Sequence, residues 1–215
     1  MMTLLYKEIR LAAHPSLFLF LGMGALTLVP AYPYGVVFFF GCLGIFQTFI
    51  NARENKDAFF TAALPVNKRD VVRAKCQLLA AAQLGQLLLT VPFALLRVVL
   101  LPNGNPAGIE ANVAYFGCGL LIYAAFNAVF LISFYKTAYK AGKAFLLGVI
   151  PVTLGIGVME TLAHVPGVAD WFDSTAPAML LQQLPILAAG LAAYGGGMAL
   201  TYQTAAARFE KVDLS

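Results

Sequence analysis

The chain has 215 residues, 60% of them hydrophobic and only 11% charged, with a formal net charge of +4. A soluble domain carries about 25% charged residues and about 45–50% apolar ones. Too few charges are present to clothe a water-facing surface, which argues against a soluble enzyme or a nucleic-acid binder. Cys42, Cys76 and Cys118 form no CxxC pair and lie in apolar runs, against a disulfide framework. No linker or low-complexity tract divides the chain, so 1–215 reads as one integral membrane domain of all-α class.

Taken in chain order, the first element is 3–14. At 100° per residue, Leu5, Tyr6, Ile9, Ala12 and Ala13 share one face and Lys7, Arg10 and His14 another. That pattern fits a short helix lying in a membrane interface over 1–15, ended by Pro15; a plain charged tail is the other reading. Six apolar runs then approach the length of about 20 residues that a span requires: 16–33, 34–52, 77–101, 112–135, 144–163 and 178–202. Pro30 and Pro33 split the first two, because a helix cannot continue through them. Glu8 precedes the first run and no A-x-A-like site follows it, so that run is expected to stay uncleaved.

Thirteen of the 14 basic residues fall at one end of these spans, in the N-terminus, the loops after spans 2 and 4, and the C-terminus; the exception is Arg97. The opposite loops hold Glu110, Asp170 and Asp173 with no Lys or Arg, and Glu160 lies nearby. The positive-inside rule therefore predicts a multi-pass cell-membrane protein with both termini cytoplasmic. Tyr32, Tyr34, Trp171 and Phe172 are placed at the outer headgroup level, and Tyr6, Tyr135, Tyr139 and Tyr202 at the inner one.

The loop 53–75 is the only sizeable cytoplasmic one. Residues 57–64 can form two helical turns, with Phe59, Phe60, Ala63 and Leu64 as an apolar cluster beside Arg53, Glu54, Lys56 and Asp57. Leu64-Pro65 stops that helix. Asn67 can then cap the next, with Asp70 at the third position. Two phenylalanines on a charged loop need an apolar seat, either the bilayer surface or a groove on a cytoplasmic partner.

Several chemistries are absent from the sequence. Gly142-Lys143 lacks the upstream glycine of a phosphate cradle. No HExxH, G-x-S-x-G or metal-ligating set occurs, and His14 and His164 lie at opposite ends. The spans hold no mid-membrane ionisable group of the kind an ion-coupled carrier keeps. The chain is therefore expected to be non-catalytic, to bind no cofactor or metal, and to take any driving energy from elsewhere.

Within the spans, Pro92 and Pro151 favour kinks. Gln83, Gln86, Asn127, Gln182 and Gln183 need polar partners, and either line a pathway or bond across helices. Ala189, Ala193, Gly197, Thr201 and Ala205 recur every four residues, which suits close packing within the bundle or across a dimer. Arg97 and Glu160 lie at equal depth near the outer ends; they either pair in an outer gate or snorkel separately to the interface.

The order of features, and above all Glu54-x4-Phe59-x4-Leu64-Pro65-Val66-Asn67-Lys68-Arg69-Asp70-Val71-Val72-x2-Lys75, resembles the permease subunits of ABC transporters of the ABC-2 type. The topology of the resemblance covers the whole chain and its sequence pattern about twenty residues. Asn67 stands where that family more often has serine. The resemblance implies a coupling helix between spans 2 and 3, formed around Arg53, Glu54, Asp57, Phe59, Phe60, Leu64, Pro65, Lys68 and Arg69, that docks on a separate ATPase subunit. ATP and Mg would sit on that partner. Two permease chains, identical or different, and two ATPases would make the working unit. The short outer loops favour export of a peptide, lipid or drug-like molecule. A secondary carrier and a non-transporting scaffold or sensor partner are the alternatives.

Overall fold

The computed structural model describes residues 2–57, 61, 65–102, 104–137 and 140–212. Every regular element among them is helical. They are α1 (Met2–Lys7), which widens into a π-turn over Glu8–Ala12; α2 (Pro15–Leu21), which tightens into a 3₁₀ stretch over Gly22–Leu28; α3 (Val36–Glu54); α4 (Lys68–Leu100); α5 (Val113–Phe134); α6 (Ala141–Leu162); the short α7 (Ala169–Phe172); and α8 (Pro177–Glu210). Helices α3, α4, α5, α6 and α8 are each long and apolar enough to cross a membrane.

The segments Leu4–Ala12 and Pro15–Leu28 meet at 95°. Pro15 at the first helical turn, and the His14 ring accepting from the Ser16 N–H at 3.2 Å, start the second segment afresh. Helix α3 holds the elbow: His14 N–H donates to Thr48 Oγ1 at 3.2 Å, and Asn51 Nδ2 donates to the Ala12 carbonyl at 3.1 Å. The 3₁₀ half rises about 2.0 Å per residue against about 1.5 Å in α2, so the pair reaches roughly 25 Å with few residues. After it, Ala31 adopts a left-handed φ of 54° in the turn between Pro30 and Pro33. The chain break there agrees with the sequence.

Helices α3 and α5 each bury half of their apolar window, whereas α6 and α8 bury 17%, so α6 and α8 stand at the periphery. Helix α8 nevertheless meets α5 backbone to backbone. A Cβ on Gly117 would lie 2.8 Å from the Ile186 main chain, and one on Gly190 would meet the Gly117 carbonyl. The small-residue stripe divides: Thr201 and Ala205 are buried, Ala193 and Gly197 half-buried, and Ala189 exposed. A repeat of four drifts about 40° per step around a helix of 3.6 residues per turn, so the stripe winds out of the core. Pro92, Pro151 and Pro185 all lie inside continuous helices.

At about 50 Å each, α4 and α8 are longer than the roughly 30 Å hydrocarbon core, and both run past the limits read from hydropathy, to Lys68 and to Glu210. Their basic ends are tied together. Arg69 Nε donates to Glu210 Oε1 at 2.7 Å, and Lys68 Nζ donates to the Val212 carbonyl at 2.7 Å while lying over the Phe209 ring. Asn67 does begin α4, but its carbonyl takes the Asp70 N–H and its side chain makes no cap bond, so the capping box is not formed.

Candidate functional site

The region around 53–75 is held by four charges from three segments, Glu8 and Lys75 buried and Lys7 and Asp57 half-buried. Helix α1 packs against α4, which turns Glu8 inward at 1% exposure and brings Lys7 to the same place. Lys75, on the inward face of α4, donates to Glu8 Oε2 at 2.5 Å and to Asp57 Oδ2 at 3.2 Å. Lys7 donates to Asp57 Oδ1 at 2.6 Å and to Thr61 Oγ1 at 3.0 Å, and lies 2.9 Å from Glu8 Oε1. Thr61 Oγ1 donates in turn to the Asp57 carbonyl at 2.7 Å. Phe49 closes one side, with the Lys75 ammonium 5.6 Å from its ring centre.

Two cations and two anions alternate around this clasp, so its net charge is zero. Burying single ions costs several kcal/mol each, and only close opposite partners with hydrogen bonds offset that. Burial alone would lower the Lys7 pKa, but Glu8 and Asp57 raise it above the ordinary 10.5. Burial alone would raise Asp57, but Lys75 and Lys7 bring it below the ordinary 3.8. Lys7 and Asp57 therefore stay ionised through the neutral range.

The clasp corrects the sequence reading of α1. Lys7 and Arg10 do not share a solvated face: Lys7 points into the clasp, while Arg10 is exposed and lies over the Tyr6 ring. Among the residues proposed to contact an ATPase, Arg53, Glu54, Pro65 and Arg69 are exposed; Asp57 is engaged in the clasp, and Lys68 and Arg69 bind the end of α8. Phe59, Phe60 and Leu64 lie outside the described residues, as does Tyr139. Lys7, Glu8 and Thr61 were missed as members of this region. The signal was weak, because nothing local marks a charge that faces inward.

The buried amides are spent on partners within the bundle. Gln83 and Asn127 form a reciprocal amide pair at 2.9 and 2.7 Å, and Tyr194 Oη donates to Gln83 Oε1 at 2.8 Å. Gln86 donates to the Phe20 and Val37 carbonyls at 2.9 and 3.0 Å and accepts from the Tyr123 hydroxyl. Gly41 lets α3 come that close, since a Cβ there would collide with Gln86 and Tyr123. Gln183 donates to the Trp171 and Ser174 carbonyls at 2.7 and 2.9 Å and accepts the Ala114 N–H at 3.0 Å. Of the five amides, Gln182 alone is exposed. The other four are buried and bond across elements.

At the acidic end, Arg97 and Glu160 do not pair. Arg97, 1% exposed, donates to Glu110 Oε1 at 3.0 Å, to Tyr34 Oη at 2.8 Å and to the Leu101 carbonyl. Glu160 accepts backbone N–H groups from Gly35 at 3.0 Å and Ile109 at 2.9 Å. Equal depth misled the sequence reading, because a guanidinium also needs lateral access and Glu110 lies nearer along the chain. Snorkelling is excluded as well, since Arg97 is buried. Asp173 accepts the Glu110 N–H at 2.5 Å, and Asn112 Nδ2 donates to the Phe172 and Ser174 carbonyls at 2.8 and 3.2 Å. The three outer connections thus form one cap. Tyr34 and Phe172, placed at headgroup level from sequence, are buried within it, and Tyr135 is buried at the other end.

Among the described residues, no cluster of His, Cys, Asp or Glu could hold a metal ion. No curated protein and no solved structure matches the chain. A family model described as ABC-2 family transporter protein matches residues 3–201. That match spans nearly the whole helical bundle and both ends of the clasp, and the chain belongs to the ABC-2 transporter family as a multi-pass membrane permease.

Proposed function

We propose that this permease is the membrane half of an ATP-driven exporter. Six spans, with Pro15–Leu28 as the first and 1–15 in the cytoplasmic interface, put both termini and the loop 53–75 inside the cell. A separate ATPase, carrying ATP and Mg, grips that loop through Arg53, Glu54, Phe59, Phe60, Leu64 and Pro65. A second permease chain completes the passage, with the exposed Gln182 of α8 on the side free to line it. The cargo is a peptide, lipid or drug-like molecule drawn from the cytoplasm or the membrane.

The observation that carries this reading is the clasp. Asp57 hangs from the loop, Lys75 belongs to α4 and Lys7 to α1, so a push on the loop is delivered at once to a long membrane helix and to the elbow before α2. A loop that served topology alone would have no need of a buried, charge-balanced joint. On the far side the gate is the cap, latched by Arg97 on Glu110 and by Glu160 on two backbone amides, which must part for release.

The test is co-purification. Phe59→Asp or Leu64→Asp should abolish recovery of the ATPase with the permease while membrane insertion stays normal. An ATPase that remains bound and fully coupled in both variants overturns the assignment. Transport that survives ATP depletion and collapses with the proton gradient would favour a secondary carrier instead.

A further inference from the structure

We propose that the basic end of α5, with Arg208 of α8 held against its last turn and Lys143 opening α6, is a site for the headgroup of an anionic phospholipid. Arg208 Nη1 donates to the Ile132 carbonyl at 2.9 Å, which fixes the guanidinium against the last turn of α5. Lys136 is exposed in the turn that follows α5, four residues beyond Ile132. Lys143 is exposed in the first turn of α6, the next element of the chain. These cations are uncompensated. The sequence holds no Asp or Glu between Glu110 and Glu160, and no ion pair among the described residues involves Lys136, Lys143 or Arg208. Glu210, the nearest acid on α8, is bound to Arg69.

Position favours a lipid over a protein partner. Lys143 heads a continuous exposed apolar face of α6: Leu147, Ile150, Leu154 and Val158 follow it at helical spacing, the last three at 55%, 64% and 59% exposure. Its ammonium therefore sits where acyl chains give way to phosphates, rather than on a projecting loop. Each Lys or Arg near an anionic surface strengthens attraction to it by about fivefold, so two or three such cations select a charged headgroup over a zwitterionic one. The inference rests on the membrane reading alone and not on an ATPase partner, so either can fail without the other.

The test places the purified full-length chain in phosphatidylcholine nanodiscs with spin-labelled phosphatidylglycerol or spin-labelled phosphatidylcholine, and reads the motionally restricted fraction. Wild type should prefer phosphatidylglycerol by about threefold or more. The preference should approach one in Lys136→Gln/Lys143→Gln, persist in Lys136→Arg/Lys143→Arg, and persist in the control Lys56→Gln/Arg73→Gln. No preference in wild type, or an undiminished one in the Gln pair, overturns the proposal. An equal loss in the control overturns it too, since any surface cation would then serve. So does displacement of the labelled lipid by inorganic phosphate at matched ionic strength, which would mark a site for a soluble anion. Loss of ATPase recovery in the Gln pair with lipid preference unchanged would assign the patch to the protein partner. Should the Gln pair fail to fold, the salt dependence of wild type decides: a preference that does not fall at about 0.5 M salt, where charges are screened within a few ångströms, overturns the site.

Discussion

Arg97 and Glu110 form a buried ion pair 3.0 Å across, on opposite sides of the turn that leaves α4. The pair joins the outer end of a long membrane helix to the connection before α5, and Tyr34 brings in the segment before α3. Three pieces of chain are thereby fixed by one guanidinium.

Removing either partner should be costly, because the survivor is a buried, unpaired charge. Arg97→Ala or Glu110→Ala is expected to destabilise the protein by about 3–5 kcal/mol, and the double change by less than the sum. Exchange of the two charges should recover part of the loss, whereas Arg97→Glu with Glu160→Arg should recover none. Thermal unfolding of the detergent-solubilised protein measures all of these.

The clasp makes a parallel prediction at the basic end. Lys75→Met leaves Glu8 buried without its closest partner and is expected to cost about 3–5 kcal/mol. Lys75→Met with Glu8→Leu removes both charges, keeps the pair of Lys7 and Asp57, and should cost less than Lys75→Met alone. Thiol accessibility of a cysteine placed at Leu5 reports whether α1 has come away. It should rise in the single variant and return toward wild type in the double.

Acidity should act on the outer cap. Burial raises the Asp173 carboxyl from the ordinary 3.8 to about 6; Glu110 and Glu160 add to the rise, and the Glu110 N–H and His164 oppose it. Burial also raises Glu110, against the pull of Arg97. A pKa raised by folding means that the protonated form favours the fold, so this contribution is complete below about pH 4 and is lost as pH climbs through about 6. The melting temperature is expected to fall from about pH 4 to about pH 7. Asp173→Asn, whose amide oxygen can still accept the Glu110 N–H, should remove most of that slope. An unchanged slope in the variant would show that the titration lies elsewhere.

The amides at mid-depth are expected to behave as structure. Asn127→Leu strands the Gln83 Nε2 donor and leaves Oε1 with Tyr194 alone, and should cost about 1–3 kcal/mol; Tyr194→Phe should cost about 0.5–1.5 kcal/mol. If these groups lined the passage instead, transport would change while the melting temperature held.

The sequence alone determined that the chain lives in a membrane, that it is all helix, where most helices lie and which end is basic. Hydropathy, proline and the run of Lys and Arg are local properties, and a helix in lipid must satisfy its own backbone whatever its neighbours do. The family was legible too, in the short run from Glu54 to Lys75. Only the tertiary structure decided which charges meet. Lys75 reaches Glu8 across 67 residues and Gln83 reaches Asn127 across 44. Those pairings depend on how each helix is rotated about its axis, a quantity fixed by the packing of all its neighbours. Hence Lys7, which read as part of the polar face of an interfacial helix, joins Glu8 in a charge-balanced clasp, and Arg97 found Glu110 rather than Glu160.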